Sequence, residues 1–162
     1  MVTVSIAIPN LNGGEFLFET LKSLEMQKQA PDEIVISDNF SCDNSLEVID
    51  QFPNLKIRLV RPDRFLNMSE NWNFVSDQVS SDWFFLLSND DLLRNSAVKR
   101  LKEIVNNLAP DIGVISFKSE IIDEKSKLLL GKYRFGKPRI WSQKEFLLHN
   151  VRLLQINASS VA

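Results

Sequence analysis

Short apolar segments alternate with helical patterns along the first two thirds of this 162-residue chain. The β-rich runs are Val2–Ile8, Ile34–Ser37, Ile57–Val60, Trp83–Leu87 and Ile112–Phe117. Stretches of helical periodicity separate them, and strands joined by helical crossovers of this length pair in parallel. The alternation therefore predicts an α/β fold, with a Rossmann-like, mostly parallel sheet flanked by helices.

Each predicted helix carries its apolar residues on one face. These positions are Leu17, Leu21 and Leu24; Val48, Ile49 and Phe52; Trp72, Val75 and Val79; and Val98, Leu101, Val105 and Leu108. Capping residues predict where three of the helices begin: a capping box of Asn44 with Glu47, then Ser69, then Asn95. Pro9 is predicted to end the first strand.

The pattern changes after residue 118. The charged segment Glu120–Lys137 contains two glycines and suits a hairpin or a mobile loop, and Ser142–Leu148 suits a short helix. We therefore expect residues 1–118 to form one α/β half. Residues 119–162 are expected to begin a second region that stops in mid-fold.

The composition argues against a nucleic-acid-binding or membrane-spanning chain. A net charge of −2 provides no general basic face, and no apolar run approaches the ~20 residues that span a bilayer. Cys42 is the only cysteine, which favours a reducing compartment, and the N-terminus MVTVSIAIP lacks the features of a signal peptide. We expect a cytoplasmic domain; peripheral contact with the inner face of the membrane stays open.

Polar residues cluster where three of the predicted strands end. The clusters are Asn10–Gly14 after the first strand, Asp38–Asp43 after the second and Ser88–Asp91 after the fourth. In a parallel sheet these loops emerge at one edge, where ligands of such folds bind. We therefore expect the three clusters to form one site.

Each cluster also has a purely structural interpretation. Asn12 and the two glycines after it could simply turn the chain into the first helix. Asp43 and Asn44 are ordinary helix caps, which is the interpretation we favour for them. Asp90 and Asp91 could be first-turn acids favoured by a helix dipole. Convergence of all three clusters at one edge nevertheless favours a ligand site.

The adjacent carboxylates Asp90 and Asp91 suggest how a phosphate group could be held. No GxGxxG follows the first strand and no GxxxxGK[ST] occurs, so a glycine-rich phosphate loop is excluded. A carboxylate pair can instead hold phosphate through Mg²⁺ or Mn²⁺, and such an ion neutralises a departing diphosphate. Asp38 could accept hydrogen bonds from a ribose or a nucleobase at the same edge.

Four segments taken together resemble the family 2 glycosyltransferases. They are VSIAIPNLN, EIVISDNFSCDNS, NMSENWN and WFFLLSNDDLL, and the similarity runs from about Val4 to about Leu93. The resemblance implies a GT-A fold and a nucleotide-diphosphate sugar donor, with UDP as the favoured nucleotide. It also implies an inverting, metal-dependent transfer to a hydroxyl of a glycan or lipid-linked sugar, in bacterial-type polysaccharide or surface-glycan synthesis.

The resemblance implies roles for single residues. The implied nucleotide-binding set is Pro9, Asn10, Asn12, Asp38, Asn71 and Asp90. The implied metal ligands are Asp91 and Asp90, of which Asp91 is the better candidate for direct coordination of Mn²⁺ or Mg²⁺. The motif reads Ser-Asn-Asp-Asp where many relatives begin with an aspartate, so which carboxylate holds metal and which holds ribose stays open. The catalytic base is expected beyond residue 162.

Two other functions stay open. A phosphoacceptor signalling domain also combines a doubly wound sheet with acids and a metal, but it needs its acidic pair after the first strand, where this chain has Pro9 and Asn10. A non-catalytic module that binds a nucleotide sugar or a partner would not need the base. Arg58, Arg61 and Arg64 could touch phosphate, although a solvated edge is the favoured interpretation.

Overall fold

A computed structural model of the chain describes residues 1–109, 111–115, 117, 120–123, 125, 127 and 128. Contacts divide the chain into two units, Met1–Ile112 and Gly113–Ala162, and each is described by itself. Strands and helices alternate in the first unit. They are β1 Val4–Asn10, α1 Gly14–Glu25, β2 Glu33–Asp38, α2 Ser45–Asp50, β3 Ile57–Val60, α3 Met68–Asp77, β4 Trp83–Leu86 and α4 Ala97–Val105.

The strands form one parallel sheet in the order β3-β2-β1-β4. Along β1 the pairing with β2 extends to Asn10 and Asp38, and the pairing with β4 extends to Ala7 and Leu86. The chain winds outward from β1 through β2 to β3 and then crosses to β4 on the other side of β1. The winding therefore reverses between β1 and β4, and sheets of this kind bind ligands at such a switch point.

Helices cover both faces of the sheet. One face is formed by Ile6, Ile8, Ile34 and Ile36 and is packed with Leu17, Leu21, Leu24, Val48, Ile49, Phe52, Leu87 and Val98. On the other face, Ala7 and Val35 pack against Val75 of α3. Each fully buried leucine or isoleucine stabilises the fold by about 1.5–3 kcal/mol. The predicted α/β architecture, with helices on both sides of a parallel sheet, is confirmed.

Pro9 lies inside β1, so the prediction that it ends the strand is wrong. The carbonyl O of Ala7 accepts a hydrogen bond from the N–H of Leu87, on the side of β4 (2.9 Å). The backbone nitrogen of Pro9, two residues further along β1, faces the side that β4 occupies. Strand β4, however, has already ended at Leu86. No ladder bond there requires the N–H that proline lacks, so the strand continues.

Helix α3 begins before its predicted cap. The N-cap is Asn67, whose backbone is extended, and its side-chain Oδ1 accepts the N–H of Glu70 (2.9 Å). The Glu70 carboxylate in turn accepts the N–H of Asn67 (3.0 Å), which completes a capping box. Ser69 lies within the first turn, where its side chain cannot cap the helix.

The predicted start of α2 is confirmed, but its predicted capping box and the predicted start of α4 differ from the structure. Asn44 is the N-cap of α2, but its backbone is not extended and its side chain makes no capping hydrogen bond, so the predicted box with Glu47 does not form. The N-cap of α4 is Ser96, one residue after Asn95. In the described part of the chain, no helix has the length and hydropathy that a membrane crossing requires.

The predicted fifth strand is not formed at the described residues of its segment, which are 112–115 and 117. Val114 is 65% exposed, and an apolar run forms a strand only where a neighbouring strand offers backbone partners and cover. In the second unit, an antiparallel bridge pairs Ile122 with Leu128, consistent with a hairpin at the start of Glu120–Lys137. The predicted helix Ser142–Leu148 lies outside the described residues.

Candidate functional site

A cleft of about 360 Å³ opens at the carboxyl edge of the sheet, beside the switch point between β1 and β4. Sites for small molecules and cofactors have volumes of about 300–1,000 Å³. The cleft is lined by Pro9, Leu11, Asn39, Phe65, Leu66, Asn67, Met68, Asn71, Trp72, Ser88, Asn89 and Asp90. Residues from the ends of β1, β2 and β4 thus meet the start of α3, as the parallel topology predicts.

Three residues of the implied nucleotide-binding set, Pro9, Asn71 and Asp90, line this cleft. Asn71 is 4% exposed, and its Oδ1 accepts a hydrogen bond from the buried hydroxyl of Ser37 (2.6 Å), which fixes the plane of the amide. Trp72, predicted to lie on the buried face of α3, is 37% exposed and forms part of the cleft wall. The start of α3 therefore contributes both an oriented amide and an aromatic surface.

Asn10 holds the loops of the site together and does not line the cleft. Its side chain is fully buried. Its Oδ1 accepts a hydrogen bond from Nδ2 of Asn89 (2.7 Å), and its Nδ2 donates to Oγ of Ser41 (3.1 Å). One amide thus connects the ends of β1, β2 and β4. Gly13 makes room for it, because a Cβ at that position would lie 1.9 Å from Nδ2 of Asn89.

Asn12 also has a structural role in the arrangement observed. Its backbone is in the left-handed region, with φ of 51°, which asparagine tolerates better than most residues. Its N–H donates to the hydroxyl of Ser41 (2.9 Å), and its Oδ1 accepts the N–H of Cys42 (2.8 Å). Asn12 therefore turns the chain toward α1 and fastens the first loop to the second.

The N-terminus of α1 is capped by the loop that follows β2. The N–H of Gly14 donates to the carboxylate of Asp43 (2.8 Å), and the N–H of Gly13 donates to the hydroxyl of Ser45 (3.2 Å). Burial would raise the pKa of Asp43, but hydrogen bonds from Ser45 and Gly14 outweigh it and lower the pKa. Asp43 thus serves two helices, and these N–H groups of α1 are occupied by protein atoms and not by an anion.

Asp38 is fully buried and lies outside the lining of the cleft. Its carboxylate pairs with the guanidinium of Arg61 and accepts the N–H of Ser41 (3.3 Å). The Arg61 guanidinium also lies 5.4 Å from the ring centroid of Phe40. Arg61 is exposed, as the interpretation of a solvated edge expects, but its guanidinium also supplies the compensating charge that the buried carboxylate requires.

The other two arginines after β3 are likewise paired. Arg58 bonds to Glu33 (2.8 Å), and Arg64 bonds to Glu70 (2.9 Å). Glu33 lies 25 residues before Arg58, whereas Glu70, a member of the capping box of α3, lies six residues after Arg64. The three arginines fasten the third strand and the following loop to neighbouring elements.

Asn39 is a site residue that the sequence did not single out. It is 1% exposed; its Nδ2 donates to the carbonyl of Leu66 (2.7 Å), and its Oδ1 accepts the N–H of Leu66 (2.9 Å). This paired contact holds the segment before α3, where Phe65 is exposed and lines the cleft beside Met68, the first residue of α3. No local pattern around Asn39 could identify a backbone partner 27 residues away.

Asp90 and Asp91 follow β4, and both are exposed. The pKa of Asp91 is nonetheless raised, first because neighbouring protein atoms displace water from its carboxyl group and second because of the charge on Asp90, while a hydrogen bond with Ser88 opposes both effects. In the described part of the chain, no three His, Cys, Asp or Glu side chains come together as a metal site. Two carboxylates completed by water and substrate phosphate nevertheless fit the way Mg²⁺ is commonly held.

Comparison with protein families and curated proteins gives two matches. The family model described as glycosyl transferase family 2 matches residues 5–156. Glycosyltransferase GlyG of Streptococcus pneumoniae serotype 4 is 22% identical over 111 residues, which cover 67% of this chain and 37% of GlyG. The chain therefore spans little more than a third of the length of this relative.

Solved structures with the same fold include S. aureus TarS 1–349, with a TM-score of 0.59 and 20% identity over 64% of this chain and 32% of TarS 1–349. The complex of that protein with UDP has the same TM-score and identity over 74% of this chain and 41% of its own. Mannosyltransferase PcManGT from Pyrobaculum calidifontis, in complex with GDP-Man and Mn²⁺, has a TM-score of 0.51 and 20% identity, covering 56% of this chain and 28% of its own.

Proposed function

Because the chain belongs to glycosyl transferase family 2 and has the GT-A fold, we propose that it carries the donor-binding half of a glycosyltransferase. The enzyme would move a sugar, with inversion, from a nucleotide diphosphate to an acceptor hydroxyl. The observation that carries this proposal is the cleft at the switch point. There the carboxylate of Asp90, the oriented amide of Asn71 and an apolar wall meet.

Different cleft residues bind different parts of the donor. Asn71 hydrogen-bonds the nucleoside through its side-chain amide, which the hydrogen bond from Ser37 holds in one orientation. Leu11, Phe65 and Trp72 pack on the base, and an aromatic face stabilises a stacked base by about 1–3 kcal/mol. Uridine diphosphate is the first nucleotide to test, since TarS structures contain UDP and UDP-GlcNAc.

Asp90 and Asp91 would hold Mn²⁺ or Mg²⁺, which when bound supplies positive charge to the departing diphosphate. The raised pKa of Asp91 agrees with this assignment, because it reflects the partial burial of the carboxyl group and the adjacent charge of Asp90, both of which a bound cation would offset. The presence of Mn²⁺ in the PcManGT complex supports it independently. Asn10, Asn12 and Asp38 contribute by holding the loops that carry the cleft residues.

The acceptor class that we propose is a hydroxyl of a glycan or of a lipid-linked sugar, in bacterial-type polysaccharide or surface-glycan synthesis. Deprotonation of that hydroxyl by a base would allow it to attack the anomeric carbon opposite the leaving diphosphate. Positive charge then develops on the sugar ring, as it does in glycoside hydrolysis. The resemblance to family 2 enzymes supports this part of the proposal.

Titration calorimetry with UDP tests the donor site. We expect Mn²⁺ to strengthen binding to the wild-type chain by tenfold or more, and Asp91→Ala to abolish that increment. The matched control is Asp77→Ala, which removes an exposed aspartate at the other end of α3, about 15 Å along the helix from its start. Absence of UDP binding, or an unchanged manganese increment in Asp91→Ala, would refute the proposal.

A further inference from the structure

The segment that carries the acidic pair, residues 87–96, joins β4 to α4 without regular structure of its own. Backbone N–H and C=O groups in such a segment need partners elsewhere. Here the partners are the side chains of Thr20 and Ser23, on one face of α1, and of Gln27, two residues past the end of that helix. Thr20 and Ser23 are three residues apart and therefore lie on the same side of the helix. Together with Gln27 we call them the polar face of α1.

Each side chain of the polar face bonds to the backbone of the segment or to the first turn of α4. The contacts are Thr20 Oγ1 to the carbonyl of Asn89 (2.9 Å), the N–H of Leu93 to Oγ of Ser23 (3.1 Å), Nε2 of Gln27 to the carbonyl of Arg94 (2.9 Å) and the N–H of Val98 to Oε1 of Gln27 (3.1 Å). Helix α1 therefore fixes the segment on both sides of Asp90 and Asp91.

Asn89, directly before the acidic pair, is held at two points. The fully buried hydroxyl of Thr20 donates to its carbonyl, while the other available acceptor, the carbonyl of Phe16, is further away at 3.4 Å. Its amide donates to Asn10 (2.7 Å). The N–H of Asp91 donates to the carbonyl of Ser88 (3.2 Å) and closes the turn. The backbone that carries both carboxylates is thus constrained from the side of α1.

We propose that Thr20, Ser23 and Gln27 are positioning residues for the acidic pair. None of them lines the cleft. They would set the place of Asp90 and Asp91, and so the affinity for a divalent ion together with a nucleoside diphosphate. This inference rests on the proposed function. Removing a partner that orients a metal ligand typically lowers metal affinity 10–100-fold, although it touches neither the ion nor the substrate.

The test compares Thr20→Val with a matched loss of a buried hydroxyl. Thr20→Val keeps the shape of the side chain and leaves the Asn89 carbonyl without its donor. Ser5→Ala removes a hydroxyl that is also fully buried and bonds to Glu33 (3.0 Å), near the amino end of β1 and far from the acidic pair along that strand. Thr20→Ser restores the hydroxyl, and Gln27→Met removes the second anchor as an independent variant.

Two measurements are made on each variant: the affinity for UDP with and without Mn²⁺, and amide hydrogen exchange over residues 88–93. We expect Thr20→Val to lower the manganese-dependent affinity about tenfold and to accelerate exchange over this segment. Gln27→Met should act in the same direction. Thr20→Ser and Ser5→Ala should keep wild-type values of both quantities, even where Ser5→Ala lowers the melting temperature.

Wild-type affinity and exchange in Thr20→Val would overturn the inference. An equal loss of affinity in Ser5→Ala would also overturn it, because the effect would then reflect general stability. If the unmutated chain shows no manganese-dependent binding of UDP, the metal part of the proposed function fails, and the inference fails with it. That outcome is recognised because it is seen before any substitution is made.

Discussion

The absence of a side chain at Gly13 allows the three loops of the site to approach one another. A Cβ there would lie 1.9 Å from Nδ2 of Asn89 and 2.5 Å from Oδ1 of Asn10. We expect Gly13→Ala to lower the free energy of unfolding by about 1–3 kcal/mol, as overpacking usually does. Gly113→Ala is the control, because nothing lies within 4 Å of its added methyl group. Urea unfolding should show a change within about 0.5 kcal/mol for the control, and equal effects would contradict the steric explanation.

The buried charge of Asp38 makes Arg61 more important than its exposure suggests. Arg61→Met should lower the free energy of unfolding by about 1–3 kcal/mol, because it leaves a fully buried carboxylate without its cation. Arg64→Met removes a pair in which both side chains are well exposed to solvent, so it should cost clearly less than Arg61→Met. Urea unfolding of both variants checks the difference. Similar costs would mean that water compensates the Asp38 charge.

At the scale of the helix, the start of α3 distinguishes the observed cap from the predicted one. Asn67→Ala removes a side chain that caps the helix, and we expect a loss of about 0.5–2 kcal/mol. Ser69→Ala alters the residue that the sequence pattern favours, and it should change stability by less than about 0.5 kcal/mol. Thermal unfolding measures both. A larger loss of stability in Ser69→Ala than in Asn67→Ala would favour Ser69, the cap predicted from the sequence.

The elements that could be predicted are those whose signal is local. Apolar periodicity identifies β3 and the buried face of α1 because each residue's environment depends on its position in its own strand or helix. Helix caps depend on the backbone conformation of single residues, so Asn67 and Ser69 are hard to distinguish in sequence. Contacts such as Asn39 with Leu66 depend on loops that the fold brings together.

At the scale of the whole molecule, parallel topology alone predicts that the polar clusters meet at one edge, and they do. It does not predict which side chains face the cleft. Asn10 and Asp38 are turned inward, where a buried amide and a buried carboxylate must find partners, while Asn71 and Asp90 line the cleft. That division depends on distant partners such as Arg61, and no local sequence pattern contains it.

Near the amino ends of the strands, the Asp32 carboxylate makes contacts that acid should weaken. The Asp32 carboxylate accepts the N–H of Val4 (2.7 Å) and pairs with Lys102 of α4 (2.9 Å), so it connects β1, the start of β2 and α4. Burial would raise the pKa of Asp32, but the hydrogen bonds from Lys102 and Val4 outweigh it, and the pKa is lowered. Glu33 behaves in the same way through Arg58 and Ser80.

A carboxyl group with a lower pKa in the folded chain binds fewer protons there than in the unfolded chain, so acid favours unfolding. The stability that Asp32 contributes should be fully present above the pKa of its unfolded state, near 4, and should be lost as the pH falls through the lower pKa of the folded state. Asp32→Asn should therefore be less stable than wild type at pH 7 and should lose less stability between pH 5 and pH 3. Asp77→Asn, at an exposed position outside these contacts, should follow the wild-type curve. Urea unfolding across this range measures how the free energy of unfolding changes with pH. Equal changes in Asp32→Asn and wild type would show that the Asp32 contacts do not govern acid stability.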